Sequence, residues 1–185
     1  MSEKILAVVG LGSIGQEAAR LGRCLGMKVI GTKRDSSGVS AGEVGTDVLY
    51  PRTELQAMLR EADFVVLCTP HTLETDKLVG EAELLAIKPE GVLINVARGA
   101  TVDEEALVRV LQTGHLAGAA LDVTAKEPLP ANSPLWDMDN VLLCPHSGSN
   151  VDSENQELTN LFCENLRLYL AGKPLRNVLD GRLLY

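Results

Sequence analysis

The amino-acid sequence predicts an α/β fold, a doubly wound parallel sheet of about seven strands with helices on both faces. Two observations carry this prediction. Short apolar runs rich in β-branched residues alternate with segments of helical periodicity along the chain. The first of these runs passes directly into a glycine-rich turn at residues 10–15. Because parallel strands are joined by right-handed crossovers, the carboxyl ends of the strands meet at one edge, where ligands bind.

The elements follow from the pattern in order. Strands are predicted at residues 5–9, 28–32, 47–50, 64–68, 92–96, 116–122 and 141–144. Helices are predicted from the glycine turn to Gly26 and at residues 51–61, 81–87, 104–112 and about 153–171, with Asp103 as the N-cap of the fourth. Apolar residues recur at helical spacing in four of these helices: Ala18, Leu21, Gly22 and Leu25; Leu55, Met58 and Leu59; Ala106, Leu107, Val110 and Leu111; Leu158, Leu161, Phe162, Leu166 and Tyr169.

The composition is that of a globular domain and excludes several functions. Of 185 residues, 45% are hydrophobic and 23% charged. No apolar run approaches the roughly 20 residues of a membrane span, and we expect a cytoplasmic protein. The formal net charge of −8 disfavours nucleic acid as a partner, because binding it requires a basic face. The four cysteines lack the close spacing of metal or redox motifs, so we expect no metal site and core packing for Cys24, Cys68, Cys144 and Cys163.

The glycine turn is the first candidate site. Gly10 permits a tight turn, Gly12 lets the backbone approach a pyrophosphate, and Gly15 lets the helix pack closely on the strand. The N-terminus of the following helix adds unpaired N–H groups and the positive end of the helix dipole. Because a strand precedes this turn and a helix follows it, the pattern predicts a Rossmann-type dinucleotide-binding site.

Three polar residues follow three different predicted strands. Arg98 follows the fifth strand, Glu127 lies a few residues past the sixth, and His146 follows the seventh, so all three are expected at one sheet edge. Histidine can remove a hydroxyl proton near neutral pH, a carboxylate can fix its tautomer, and arginine can grip a carboxylate with two hydrogen bonds. Together they predict a 2-hydroxy acid site. Taken singly, they also fit a surface ion pair, a turn and a strand cap.

Five motifs occur in order along almost the whole chain. They are GLGSIG at 10–15, TPHTLET at 69–75, NVARG at 95–99, AALDV at 119–123 with EPLP at 127–130, and PHSG at 145–148. This set resembles the D-isomer-specific 2-hydroxyacid dehydrogenases, a family that includes glyoxylate and hydroxypyruvate reductases and phosphoglycerate dehydrogenase. The resemblance implies that Arg98 holds the substrate carboxylate, His146 is the acid–base, and Glu127 orients it. It also implies that Ser13 and Ile14 contact the pyrophosphate of the cofactor. The ribose and nicotinamide part of the site would be lined by Thr69, Val96, Asp122 and Gly148.

The end of the second predicted strand departs from many NAD-using relatives. Those proteins carry an acidic residue there, which accepts hydrogen bonds from the adenosine ribose. Here Thr32 is followed by Lys33 and Arg34. Because a basic pair attracts a 2′-phosphate, NADP is the preferred cofactor and NAD the alternative. The alternative is that both side chains merely solvate the loop. The nearby Asp35 would weaken the attraction of the pair for a 2′-phosphate.

The length of the chain is a second departure from the family. Relatives have a substantial segment ahead of the glycine turn, which forms most of a substrate domain, whereas here the first predicted strand begins at residue 5. We expect residues 1–172 to form the dinucleotide-binding domain, and residues 173–185 a tail that in relatives returns to a substrate domain absent from this chain. With half of the cleft missing, low activity is expected. Surfaces that the missing domain normally covers are expected to be exposed or to form a homodimer contact.

Two functions remain open on the sequence alone. The first is an NAD(P)-dependent oxidoreductase that interconverts D-2-hydroxy acids and 2-oxo acids by hydride transfer. The second is a non-enzymatic dinucleotide-sensing module, similar to corepressors that use this fold. Retention of Arg98, Glu127 and His146 favours enzyme ancestry. Turnover of glyoxylate or hydroxypyruvate distinguishes the two.

Overall fold

The sheet lies in the first of two compact units of the chain. The structure is a computed structural model that describes residues 1–181. One unit comprises Met1–Pro145 and the other begins at His146. The predicted boundary at residue 172 stays a prediction, and residues 182–185 of the predicted tail lie outside the described residues.

All seven predicted strands are present, and every pair in the sheet is parallel, in the order β3-β2-β1-β4-β5-β6-β7. The strands are β1 Ile5–Val9, β2 Lys28–Thr32, β3 Val48–Tyr50, β4 Phe64–Leu67, β5 Val92–Asn95, β6 Gly118–Leu121 and β7 Val141–Leu143. Along the chain, β2 and β3 are added on one side of β1, and β4 to β7 follow on its other side. This reversal creates a crevice beside the carboxyl end of β1, the usual ligand position in such sheets. The predicted doubly wound sheet is confirmed.

Four α-helices belong to the first unit: α1 Ser13–Cys24, α2 Leu55–Leu59, α3 Glu81–Ala86 and α4 Glu104–Gln112. Alternate residues of β1 face opposite layers, as the two-residue period of a strand requires. Ala7 and Val9 join the buried cluster that includes α2, α3 and α4, whereas Leu6 and Val8 join the cluster under α1. Helices therefore cover both faces of the sheet, as predicted. The predicted N-cap of α4 is also present, because Asp103 Oδ1 accepts a hydrogen bond from Ala106 N at 3.2 Å.

Small residues, rather than leucines, make the contact between α1 and the sheet. The buried residues of α1 are Gly15, Ala19 and Gly22, whereas Leu21 and Leu25 are half or more exposed. A Cβ at Gly22 would lie 2.6 Å from Leu6 Cδ2, so the helix approaches β1 too closely for larger side chains. The helical spacing predicted from Leu21 and Leu25 was correct, but these leucines do not form the packed face.

In the described part of the second unit, residues 146–181, there is one long helix, α5 Glu154–Leu170, none of whose residues is buried. Four residues of the apolar face predicted for this helix are exposed, including Phe162 and Tyr169, and Leu161 is half-buried. The segment after α5 is tied to the helix by Asn165, whose side chain accepts from Arg176 N and donates to Arg176 O. Over residues 1–181, no helix is both long and apolar enough to cross a membrane.

Candidate active site

The glycine turn joins the carboxyl end of β1 to the ends of its two neighbours. Gly10 has a φ of +98°, which favours glycine, and its N–H donates to Thr32 O at 2.9 Å. A Cβ at Gly10 would lie 2.8 Å from Thr69 Cγ2, and one at Gly15 would lie 1.9 Å from Gly10 O. The turn is therefore enclosed by β2, β4 and the start of α1, and neither glycine can accept a side chain without movement.

The start of α1 is open, in contrast to the enclosed turn. Gly12 is the residue before the helix, and a Cβ there would meet nothing within 4 Å. Ser13 and Ile14 are exposed, and the N–H groups of the first helical turn have no partner within the helix. An anion placed here would receive several backbone hydrogen bonds and the favourable end of the helix dipole.

Two hydroxyl groups near the turn lack partners. Within residues 1–181, Thr32 Oγ1 and Thr69 Oγ1 are the buried side-chain oxygens without a hydrogen bond. A buried hydroxyl without a partner carries a desolvation cost. Both threonines are at or next to the carboxyl ends of the strands flanking β1, so a polar ligand in the crevice would supply the missing partners. The residues present therefore fit a dinucleotide.

The basic pair after β2 lies beside an acidic residue that already has other partners. Lys33 is half-buried and Arg34 exposed. Asp35 Oδ1 accepts from Ser37 N at 2.9 Å. Hydrogen bonds from the backbone and hydroxyl of Ser37, aided by the charges of Lys33 and Arg34, hold the pKa of the Asp35 carboxyl below its ordinary value.

Arg98 lies in a loop held by a buried asparagine. Asn95, only 1% exposed, ends β5. Its Oδ1 accepts from Ala97 N at 3.0 Å and its Nδ2 donates to Arg98 O at 3.2 Å. The hydroxyl of Thr101 donates to the same carbonyl at 2.6 Å. The guanidinium of Arg98 is exposed at the strand end and donates through Nη1 to Ala97 O at 2.7 Å.

The Glu127 loop packs against the Arg98 loop. A Cβ at Gly99 would lie only 1.9 Å from Thr124 O, so the backbones of the two loops are in direct contact. Glu127 Oε1 accepts from Thr124 N at 3.1 Å, and Glu104 Oε2 accepts from Ala125 N at 2.8 Å. The structure therefore brings together the two loops that carry Arg98 and Glu127.

A third loop, which follows β4 and Thr69, is connected to the Arg98 loop by backbone hydrogen bonds. Lys77 N donates to Ala100 O at 2.8 Å, and Val79 N donates to Thr101 O at 3.0 Å. Val79 and Val102 also form an isolated parallel bridge. The loops after β4, β5 and β6 consequently form one connected surface at the carboxyl edge of the sheet.

The remaining predicted residues divide between the two units. Val96 is exposed and Asp122 half-buried, and both follow strands of the first unit. His146 and Gly148 are exposed and belong to the second unit; His146 has a φ of +52°. The convergence of His146 on Arg98 and Glu127 stays a prediction.

Of the four cysteines predicted to pack in the core, Cys68 packs against the buried cluster under α1, whereas the other three lie outside both core clusters. Cys24 and Cys144 are exposed, and Cys68 and Cys163 are half-buried, because each lies at an element end or on an uncovered helix. Burial raises the pKa of the Cys68 thiol to about 11, which makes it a poor nucleophile near neutral pH. The described residues contain no group of three or more His, Cys, Asp or Glu side chains that could hold a metal ion.

Asn95, Glu104 and the hydroxyl of Thr32 were not identified from the sequence as parts of the site. The sequence distinguishes only Asn95, which is a polar residue near the carboxyl end of an apolar predicted strand. The bond from Glu104 to the Glu127 loop spans 21 residues of sequence, and local pattern analysis does not detect such contacts.

Comparison with known proteins assigns the family. The profile described as "D-isomer specific 2-hydroxyacid dehydrogenase, NAD binding domain" matches residues 1–148. A glyoxylate reductase from Thermococcus litoralis is 36% identical over 181 residues, which cover 98% of this chain and 53% of that protein. A D-3-phosphoglycerate dehydrogenase from Synechocystis is 36% identical over 178 residues, covering 96% of this chain and 31% of that protein. The chain thus spans about half the length, or less, of these curated relatives.

Solved structures of 2-hydroxyacid dehydrogenases share this fold at similar sequence identity. A D-isomer specific 2-hydroxyacid dehydrogenase from Xanthobacter autotrophicus, in complex with NADPH and MES, has a TM-score of 0.88 and 37% identity, covering 97% of this chain and 72% of that one. An NADPH-dependent glyoxylate/hydroxypyruvate reductase from Sinorhizobium meliloti, in complex with NADP and sulfate, has a TM-score of 0.89 and 31% identity, covering 98% and 57%. With its glycine turn, its sheet order and the matched profile, the chain belongs to the D-isomer specific 2-hydroxyacid dehydrogenase family and contains that family's NAD binding domain.

Proposed function

We propose that this chain is the nucleotide-binding part of an NAD(P)-dependent oxidoreductase that interconverts D-2-hydroxy acids and 2-oxo acids. The observation that carries the proposal is the packing of the Arg98 loop against the Glu127 loop through Gly99 and Thr124. A group that can bind a carboxylate and a carboxylate that can orient a base thereby occupy adjoining loops at the ligand-binding edge of the sheet. The names of the relatives, glyoxylate reductase among them, suggest small 2-oxo acids as substrates.

The glycine turn and the strand ends around it would hold the dinucleotide. The backbone N–H groups of Ser13 and Ile14 would bind the pyrophosphate, because they point out of an open helix start. The bound nicotinamide supplies or accepts the hydride. Four residues at the strand ends would line its ribose and ring: Thr69, Val96, Asp122 and Gly148.

Lys33 and Arg34 would favour NADP over NAD. Both cations follow β2, where an adenosine 2′-phosphate would add about two negative charges. Asp35 weakens their effect, because the charges of Lys33 and Arg34 act on its carboxylate, although its hydrogen bond is with Ser37 N. Two similar structures contain NADPH or NADP, which agrees with this preference.

Arg98 would bind the substrate carboxylate with two parallel hydrogen bonds. Its guanidinium has five N–H donors, and the bond from Nη1 to Ala97 O uses one of them. The bonds that Asn95 and Thr101 donate to Arg98 O hold the backbone from which this side chain extends. A carboxylate bound in this way would bring the adjacent 2-oxo carbon to the carboxyl edge of the sheet.

His146 would transfer the proton, and Glu127 would orient the ring. In the direction of reduction, the imidazolium donates a proton to the substrate oxygen as the hydride reaches carbon, and in oxidation the neutral ring removes the hydroxyl proton. A carboxylate on the other ring nitrogen fixes the tautomer and stabilises the imidazolium. Glu127 would take this role because its loop follows β6 at the ligand-binding edge of the sheet.

The experiment is the oxidation of NADPH on addition of glyoxylate or hydroxypyruvate, with the full chain at a concentration comparable to the cofactor. We expect substrate-dependent loss of the reduced nicotinamide absorbance that is abolished in Arg98→Met and His146→Ala. The control is Arg23→Met, which removes an exposed arginine near the C-terminus of α1. Tight NADPH binding with no turnover would contradict the proposal and would favour the dinucleotide-sensing module.

A further inference from the structure

The first turn of α4 contains two acidic residues that differ in solvent exposure. Glu104 is half-buried and Glu105 exposed. Neither caps the helix, because Asp103 accepts the bond from Ala106 N. Glu104 instead extends to the loop after β6, where its Oε2 accepts from Ala125 N at 2.8 Å. This carboxylate therefore connects the helix after Arg98 to the loop that carries Glu127.

The loop that receives this bond is a compact turn ending at Glu127. Glu127 Oε1 accepts from Thr124 N at 3.1 Å, and the hydroxyl of Thr124 donates to Lys126 O at 3.0 Å. On one side, Thr124 O abuts the Cα of Gly99. On the other side, Glu104 binds the next backbone N–H, that of Ala125. The turn is thus held between two contacts, a close backbone approach at Gly99 and a hydrogen bond to the carboxylate of Glu104.

We propose that Glu104 is a positioning residue for the reaction, holding the 124–127 turn that carries the carboxylate of Glu127. The inference rests on the proposed function, in which Glu127 orients His146. A hydrogen bond to a charged acceptor is stronger than one between neutral groups. Small displacements of an orienting group have large effects on catalysis. Loss of Glu104 would release Ala125 and allow the turn to pivot about its contact with Gly99.

The chain offers a matched control for this proposal. Glu105 is the next residue of the same helical turn, carries the same charge near the same helix N-terminus, and is exposed. Glu105→Ala therefore changes net charge and helix-dipole energy as Glu104→Ala does. Only Glu104→Ala removes the bond to Ala125. Glu104→Gln retains an acceptor oxygen at the same position and serves as the conservative rescue.

The test uses the full chain labelled with ¹⁵N and has two readouts. Amide hydrogen exchange at Ala125 reports the bond itself, and we expect roughly tenfold faster exchange in Glu104→Ala because a bond to a charged group is lost. The ring ¹⁵N shifts of His146, measured where the ring is neutral, report its tautomer. We expect one tautomer in the parent, Glu105→Ala and Glu104→Gln chains, and a mixture in Glu104→Ala and in Glu127→Ala.

The outcomes separate the inference from the function on which it rests. If Glu127→Ala produces a tautomer mixture and Glu104→Ala does not, the positioning role of Glu104 is wrong and the role of Glu127 stands. If Glu127→Ala leaves a single tautomer, the pairing of Glu127 with His146 is wrong and the inference falls with it. If Glu104→Ala and Glu105→Ala have equal effects, charge near the helix accounts for the change and the inference is also overturned.

Discussion

The side chain of Asn95 and the backbone of Arg98 are joined by a hydrogen bond, from Nδ2 to the Arg98 carbonyl at 3.2 Å. The same side chain accepts from Ala97 N, so one buried amide uses both of its ends to shape the loop. This arrangement satisfies backbone groups where β5 ends and the sheet ladder no longer provides partners. It also sets the position from which the arginine extends.

Replacement of Asn95 should therefore affect both stability and carboxylate binding. Asn95→Ala leaves the buried N–H of Ala97 without a partner, and we expect the free energy of unfolding to fall by about 1–3 kcal/mol. We also expect the NADPH complex to bind oxamate, an unreactive 2-oxo acid mimic, about tenfold more weakly, because Arg98 is displaced. Denaturant titration and calorimetry measure these two quantities.

Thr101→Val is the comparison variant for Asn95→Ala. It removes the hydroxyl that also donates to Arg98 O, while Asn95 and its two bonds remain. We expect smaller losses of stability and of oxamate affinity than in Asn95→Ala. Unchanged oxamate affinity in a destabilised Asn95→Ala chain would show that Asn95 supports the fold without positioning Arg98.

Gly99→Ala should disturb the contact between the loops that carry Arg98 and Glu127. The new Cβ would lie 1.9 Å from Thr124 O, a backbone atom that can move only with its loop. Overpacking of this kind costs about 1–3 kcal/mol of stability, and thermal unfolding measures the loss. Gly42→Ala is the control, because its Cβ would meet nothing within 4 Å. Equal stability of the two variants would contradict the close packing of the loops.

Local sequence signals predicted much of this architecture. β1, β2 and α4 have the predicted bounds, and for α4 the reason is a side-chain cap, Asp103, that acts over three residues. The glycine at position 10 similarly indicates a backbone with positive φ, which favours glycine. Such features depend on neighbours in sequence, so pattern analysis detects them.

Features that depend on tertiary approach were not predictable in this way. Leu21 and Gly22 both belong to the predicted helical repeat, but the closeness of α1 to β1 selects Gly22 for the packed contact and leaves Leu21 exposed. β5 ends at Asn95, one residue earlier than predicted, because this side chain takes over the bond of Ala97 N. The bond from Glu104 to Ala125 likewise becomes visible only once β5 and β6 are neighbours.

Lys33→Asp should reverse the cofactor preference. The parent chain is expected to bind NADP at least about tenfold more tightly than NAD, because a cation near the 2′-phosphate contributes a few kcal/mol before solvent exposure reduces it. The variant places a carboxylate where it repels a 2′-phosphate and can accept bonds from a ribose. Calorimetry with both cofactors measures the ratio. Arg23→Asp makes the same charge change elsewhere and should leave the ratio unaltered; tighter binding of NAD by the parent would refute the basic-pair argument.

Because of Asp63, the free energy of unfolding should fall at acid pH. Burial alone would raise the pKa of its carboxyl, but the N–H of Ile5 and the ammonium groups of Lys88 and Lys4 outweigh burial and hold the pKa below its usual value. A depressed folded pKa contributes stability that is present above the unfolded value of about 3.9 and is lost as pH falls through the folded pKa.

The measurement for Asp63 is the unfolding free energy of parent and Asp63→Asn at several pH values. We expect the variant to be about 1 kcal/mol less stable at pH 6–7, and the difference to shrink steadily below about pH 4. Asp139→Asn, at an exposed position, should differ little from the parent throughout. A difference that stays constant down to pH 2.5 would mean that the Asp63 charge does not contribute.

Isotope transfer tests the proposed function most directly, because it follows the hydride from the nicotinamide to a small 2-oxo acid. The full chain is incubated at stoichiometric concentration with hydroxypyruvate and NADPH deuterated at the transferring position, and the product is analysed by mass spectrometry and chiral chromatography. We predict D-glycerate with deuterium at carbon 2, and none from Arg98→Met. Unlabelled or L-glycerate, or bound NADPH with no glycerate at all, would contradict the account.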